Sequence, residues 1–167
     1  MSSIRAHQDV EPNLGERVYV DPTATVIGDV HLADDVSIWP GTVLRGDVNF
    51  IRVGARSSIQ DGSVVHVSHD GPYTQPGGFP TTVGEDTTVG HKVILHGCTI
   101  GNFCLIGMGA ILLDGARVED YGFVGAGALV TSGKTVGTGE LWMGNPARRV
   151  RRLSEREIEA LRYSAAH

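Results

Sequence analysis

The sequence predicts an all-β chain wound as a parallel β-helix and closed by one short α-helix. Aliphatic residues recur every six positions through most of the 167 residues. Glycine is used 23 times, about 14 % against an ordinary ~7 %, and stands regularly between the aliphatics, as turns of fixed period require. The period stops near the C-terminus, where a helix-capping pattern begins.

The repeat opens at Val20, Val26, Leu32, Ile38 and Leu44. After an insertion it resumes at Val53, Ile59 and Val65, and after a longer one at Val83, Val89 and Leu95. It continues at Ile100, Ile106, Leu112, Val118, Val124 and Val130, with five residues rather than six between Leu95 and Ile100. Neither a helical period nor hairpin alternation sustains a six, whereas hexapeptide repeats are the signature of a parallel β-helix. Each hexad is then a short strand plus a corner, and three hexads make a triangular coil around stacked aliphatics. Small residues often follow the aliphatic, and Ala, Thr, Ser or Val often takes the fifth position. The β-helix domain is placed at 1–150, with a loop at 68–81, and the C-terminal segment at 151–167. In that segment Ser154 and Glu157 form a capping box, and Leu153 and Ile158 fit the flanking staple. A helix is predicted over 155–166. Its stripe of Ile158 and Leu161 needs a surface, on the β-helix or on a neighbouring subunit.

The formal net charge of −5 and pI near 5.7 give no reason to expect nucleic acid or an anionic membrane as partner. Aromatic residues make up only 6 % of the chain, so the core must be aliphatic. Cys98 and Cys104 are the only cysteines, without a disulfide framework, which points to a reducing, cytoplasmic compartment and to buried small side chains. Residues 1–9 lack the apolar stretch of a secretory signal, and the near-apolar run 103–113 is too short to span a bilayer.

The chemistry lies in His66, His91 and His96. Three imidazoles hold a zinc-type ion and leave a coordination position open, which is the catalytic arrangement. Counting hexads puts Val53 and Val83 on a first face, Ile38, Ile59 and Val89 on a second, and Leu44, Val65 and Leu95 on a third. His66 and His96 each follow the core aliphatic of the third face on successive coils, so both point outward, roughly 4.8 Å apart along the stack. Arg45 falls in the same outward column one coil earlier, and Leu113 ends the polar part of the column. His91 lies on the second face. It either reaches around the corner or, more simply, meets the His66/His96 column of a neighbour in a cyclic trimer. His7, His31, His69 and His167 read as ordinary surface histidines.

At these residues the chain resembles the gamma-class carbonic anhydrases, trimeric left-handed β-helix proteins. The resemblance rests on Trp39-Pro40-Gly41-Thr42-Val43-Leu44-Arg45-Gly46-Asp47, Ile59-Gln60-Asp61-Gly62-Ser63, Val65-His66, Gly90-His91-Lys92, Leu95-His96-Gly97-Cys98 and Gly144-Asn145-Pro146-Ala147. The hexads and the final segment are shared with hexapeptide acyltransferases; the histidine set joined to the Arg-Gly-Asp and Gln-Asp segments is specific. The resemblance implies a left-handed coil and a homotrimer whose metal sites are shared between subunits. His66 and His96 would bind the ion from one subunit and His91 from the next. The ion would be Zn²⁺, with Fe²⁺ or Co²⁺ equally acceptable to imidazoles. Gln60 would hydrogen-bond the metal-bound hydroxide or bicarbonate, Asp61 would support it, and Arg45 and Asp47 would organise the interface. Tyr163 would reach the site from the terminal helix. The implied reaction is reversible hydration of CO₂ to bicarbonate by metal-bound hydroxide.

The chain also departs from the family pattern. Val48 stands where founding members place a glutamate, the loop 68–81 offers only His69 and Asp70 as proton carriers, and Ser58 replaces an asparagine. Alternative functions are a metal-dependent thioesterase or esterase, a metal-binding trimeric scaffold with little catalysis, and a CoA-dependent acyltransferase, for which three clustered histidines exceed the need.

Overall fold

A computed structural model describes residues 3–165; Ala166 and His167, where the predicted helix and the chain end, lie outside the described residues. The chain forms a β-solenoid of about eight coils followed by a single helix. The hexad count holds at the level of individual ladders. On the second face Val20, Ile38, Ile59, Val89, Ile106 and Val124 stack in parallel register. On the third, Val26, Leu44, Val65, Leu95, Leu112 and Val130 do the same. Leu32, Val53, Val83, Ile100, Val118 and Val136 complete the first. The stack extends beyond the predicted run, with Ile4 against Val26 and Leu14 against Leu32 at the start.

The triangular section explains the composition. Core aliphatics such as Leu44, Leu95 and Leu112 have no exposed surface. Two residues before most core aliphatics, where the chain turns the corner, the interior holds a small or slender side chain. Ala24, Thr42, Ser57, Ser63, Thr87, Ala110 and Ala128 fill such positions and are buried. Cys98 and Cys104 hold the same place, and burial pushes both thiols up to about 12, so neither is a nucleophile at neutral pH.

From Val20 onward three steps break the period, and all lie at one corner. The steps from Leu44 to Val53, from Val65 to Val83 and from Leu95 to Ile100 are nine, eighteen and five residues long, on successive coils, between the third and first faces. The first is a bulge within the strand Val43–Val53, where the register shifts opposite Asp29. The second is the loop between Ser68 and Phe79, whose backbones pair at its root. Asn49 in the bulge donates to the carbonyls of Ser68 (3.0 Å) and Gly77 (2.8 Å), binding bulge to loop. Regular hexads maintain the coil elsewhere, and the irregular ones build a structure beside His66 and His96.

The coil ends in an antiparallel hairpin, Glu140–Gly144 against Ala147–Arg152, which six-residue periodicity does not foretell. The helix Glu155–Ala165 then folds back on its own chain. Leu161 is buried, and Arg162 lies over the Tyr121 ring at 5.2 Å while donating to its hydroxyl at 3.1 Å. Among the described residues no helix is long and apolar enough to cross a membrane.

The capping box forms as read. Glu157 accepts from the Ser154 amide at 2.8 Å and pairs with Arg151 at 2.7 Å. Hydrogen bonding to Arg151 and to Ser154 holds the Glu157 carboxyl at about 2, against 4.5 for an ordinary glutamate. Because the folded value is the lower one, its contribution is whole above pH 4.5 and is lost as pH falls towards 2. Hydrogen exchange of the helix amides, titrated across that window, should show protection falling in this helix before the coil. Equal protection at both ends of the window would count against the cap.

Candidate metal centre

His66 and His96 are paired residue for residue in adjacent parallel strands. Strand alternation turns both outward beside the fully buried Val65 and Leu95. Their rings sit 5.0 Å apart, centroid to centroid, at 62°. The spacing expected from the strand repeat is therefore what the side chains show. Nδ1 of His66 faces Nε2 of His96 at 3.0 Å.

The outer nitrogens both meet carboxylates. Nε2 of His66 lies 2.9 Å from Oδ1 of Asp47, and Nδ1 of His96 lies 2.7 Å from Oδ1 of Asp114. Asp47 also pairs with Arg45 of its own chain. Burial opposes the Asp47 charge, but bonds from His66 and from its own amide, with the nearby Arg45 charge, outweigh it and hold the carboxyl below its usual range. An ionised carboxylate accepts only, so each neutral imidazole must donate from its outer nitrogen. The inner nitrogens then present two lone pairs to each other across 3.0 Å. A cation between them resolves the conflict. Burial pushes the His66 imidazole below the ordinary histidine value despite Asp47, which disfavours a proton in that role. Two nitrogens bound to tetrahedral zinc at ~2.0–2.1 Å stand roughly 3.3 Å apart, so the pair suits such an ion with a small opening. Outer-nitrogen hydrogen bonds to carboxylates are also the usual support of metal-ligating histidines.

His91 does not join this pair. Its Nδ1 is held by Oδ2 of Asp61 at 2.9 Å in the turn after the second-face strand Thr88–Val89, and the side chain is half exposed. Among the described residues of one chain, no group of three or more His, Cys, Asp or Glu is placed to hold an ion. Asp61, expected in a supporting role, braces His91. Gln60 and Tyr163 do come together. They line a groove of ≈610 Å³ on the second face with Trp39, Ser58 and Thr88, between the coil and the terminal helix. None of His66, His91 and His96 lines this groove. Of the histidines read as ordinary, His31 and His69 are exposed and His7 belongs to a short N-terminal bridge with Val10. His167 lies outside the described residues.

The polar column does not end as expected. Leu113 does follow Leu112, but Asp114, one residue on, turns the corner and returns to His96. Its other oxygen accepts from Ser68 Oγ at 2.7 Å. Following only the position after each core aliphatic misses it. The signal was the next position, where Gly97 leaves the space that the Asp114 carboxylate enters.

No family model matches the chain. Over 162 residues it is 56 % identical to Protein YrdA of Escherichia coli (strain K12), covering 97 % of this chain and 88 % of that one. Over 159 residues it is 46 % identical to Gamma carbonic anhydrase 1, mitochondrial, of Arabidopsis thaliana, covering 95 % of this chain and 57 % of the plant protein. The chain belongs to the gamma-class carbonic anhydrase family. Among solved structures, a hexapeptide transferase family protein from Anaplasma phagocytophilum has a TM-score of 0.88 at 42 % identity, covering 96 % of this chain and 90 % of that one. Gamma-class and hexapeptide-transferase relatives therefore share this coil, and the distinction between their chemistries rests on side chains. In this chain those are the histidine pair, its two carboxylates and the His91–Asp61 pair.

Proposed function

We propose that three copies close into a cyclic trimer in which His66 and His96 of one subunit and His91 of the next hold a zinc-type ion, and that this centre reversibly hydrates CO₂ to bicarbonate. The observation that carries the reading is the pair of ring nitrogens facing each other at 3.0 Å, each ring braced by a carboxylate. With Nδ1 held by Asp61, His91 has Nε2 left for coordination, at a corner of its own coil away from the His66/His96 pair. A heterologous contact between unlike faces closes into a ring when repeated, and so brings the faces together. These imidazoles would hold Zn²⁺, Fe²⁺ or Co²⁺, which would supply a water-derived nucleophile near neutral pH. Asp47 and Asp114 fix which nitrogen of each ring is bare. Gln60 offers an amide to orient the substrate oxygen, Tyr163 shares its groove, and Arg45 holds Asp47 in place.

The groove itself favours a second reading. At ≈610 Å³ it falls in the range of small-molecule sites and exceeds what CO₂ needs. A thioester or ester hydrolysed at the same centre would use that space.

Metal analysis and stopped-flow CO₂ hydration on one preparation test the proposal, with a thioester substrate run alongside. The expected result is about one ion per chain, from one shared site per subunit, and hydration that chelation abolishes. A chain that takes up no ion on reconstitution would overturn the centre. Full loading with thioester cleavage and no hydration would select the second reading.

A further inference from the structure

Asp114 is better embedded than a surface carboxylate needs to be. Oδ1 meets Nδ1 of His96 at 2.7 Å and Oδ2 accepts from Ser68 Oγ at 2.7 Å, so both oxygens are committed. The space it enters is kept clear by Gly97, at φ +58°; a Cβ there would collide with the Asp114 carboxylate and stand 2.7 Å from Phe79 Cβ. The backbone around it is also tied down. The Gly97 amide donates to Thr81 Oγ1 at 2.9 Å, Thr81 donates to the His66 carbonyl at 2.5 Å, and the Gly115 amide donates to the Gly97 carbonyl at 2.8 Å. Ser68 stands at the root of the 68–79 loop, where its backbone pairs with Phe79 and its carbonyl accepts from Asn49.

We infer that Asp114 is a positioning residue of the metal centre, holding His96 as the Nδ1–H tautomer with Nε2 bare and tying that ring, through Ser68, to the root of the loop. The inference rests on reading His66 and His96 as ligands. Its physical content is separate from theirs. An imidazole free to choose its tautomer and to rotate offers the ion the right nitrogen only part of the time, and coordination must then supply the ordering. Supporting carboxylates of this kind are worth ~10–100-fold in metal affinity. The link to Ser68 adds that the insertion at 68–79 is braced against the ligand and is no independent excursion.

The test uses the full-length chain. Zn²⁺ affinity is measured by chelator competition, and the His96 tautomer by ¹⁵N NMR of the metal-free protein, with the unfolding midpoint recorded for each variant. Asp114→Ala should weaken Zn²⁺ binding about 10–100-fold and shift His96 to a mixture of tautomers. Asp114→Asn, whose carbonyl oxygen still accepts from Nδ1–H, should recover most of both. Ser68→Ala, which leaves His96 and Asp114 in place, should give a smaller loss and serves if Asp114→Ala does not fold. An Asp114→Ala protein with wild-type affinity and tautomer overturns the inference, as does a lowered midpoint with neither readout changed. Wild-type protein that takes no Zn²⁺ overturns the ligand reading itself, and is recognised because the unsubstituted chain fails.

Discussion

Subunits carrying His91→Ala and subunits carrying His96→Ala, each inactive as a homotrimer, are expected to recover CO₂ hydration when mixed. The prediction follows from the separation of the donors. His66 and His96 stack on the third face, His91 is held by Asp61 in the turn after the second-face strand, and the described residues of one chain assemble no group of three. In a cyclic trimer each centre takes its pair from one subunit and its third imidazole from the next. Any mixed trimer then contains one junction where an intact pair meets an intact His91. Such a trimer should show about a third of wild-type activity and metal content, which the symmetry alone dictates. Co-refolding differently tagged variants, isolating doubly tagged trimers and assaying both quantities checks it. No recovery in doubly tagged trimers would place the complete centre within one chain or nowhere. Neither substitution should disturb the coil, since both side chains lie outside the buried ladder.

The same contrast shows what was legible in the sequence. A six-residue period with stacked aliphatics leaves one register, because a slip of one residue would turn the apolar set outward. From that register the pairing of His66 with His96 follows by counting, as it does for all three ladders. Periodicity says nothing about contacts that cross a corner. Asp114 reaches His96 only because the chain bends between them, whereas Asp61 and His91, each two residues past the paired Ile59 and Val89, stack by the same count. The N-terminal strands at Ile4 and Leu14 were hidden for a related reason: they join the stack through irregular spacing, with a bridge between His7 and Val10 in between. The breaks in period at 44–53, 65–83 and 95–100 carry information of their own. Three irregular steps on successive coils at one corner mark where a regular scaffold has been altered to hold a site. The comparison with relatives adds the family; it does not supply the Asp114 bond, which only the folded chain displays.

Leu95→Ala is expected to cost about 2–5 kcal/mol of stability, the range for deleting a fully buried leucine side chain. Leu95 has no exposed surface and stacks between Val65 and Leu112 on the third face. Each coil of a repeat array contacts chiefly its neighbours, so a cavity here weakens two interfaces between coils and cannot be spread over a large core. Close-packed surroundings relax only partly into the gap, and in this fold the ladder hydrogen bonds on either side restrain them further. Ile94→Ala is the informative partner. It removes a similar volume one residue away, but that side chain is 40 % exposed, as is Val64 beneath it. In the isolated chain Ile94→Ala should cost well under half as much, because less apolar area leaves contact. Chemical denaturation at several protein concentrations separates the two effects. Leu95→Ala should lower the midpoint at every concentration. Ile94→Ala, on the outward side of the strand that ends in His96, should act mainly through assembly and make the midpoint depend more steeply on concentration. Equal, concentration-independent losses would mean that the outward side of this strand is not where subunits meet, and the donor for the third coordination position would have to approach from another direction.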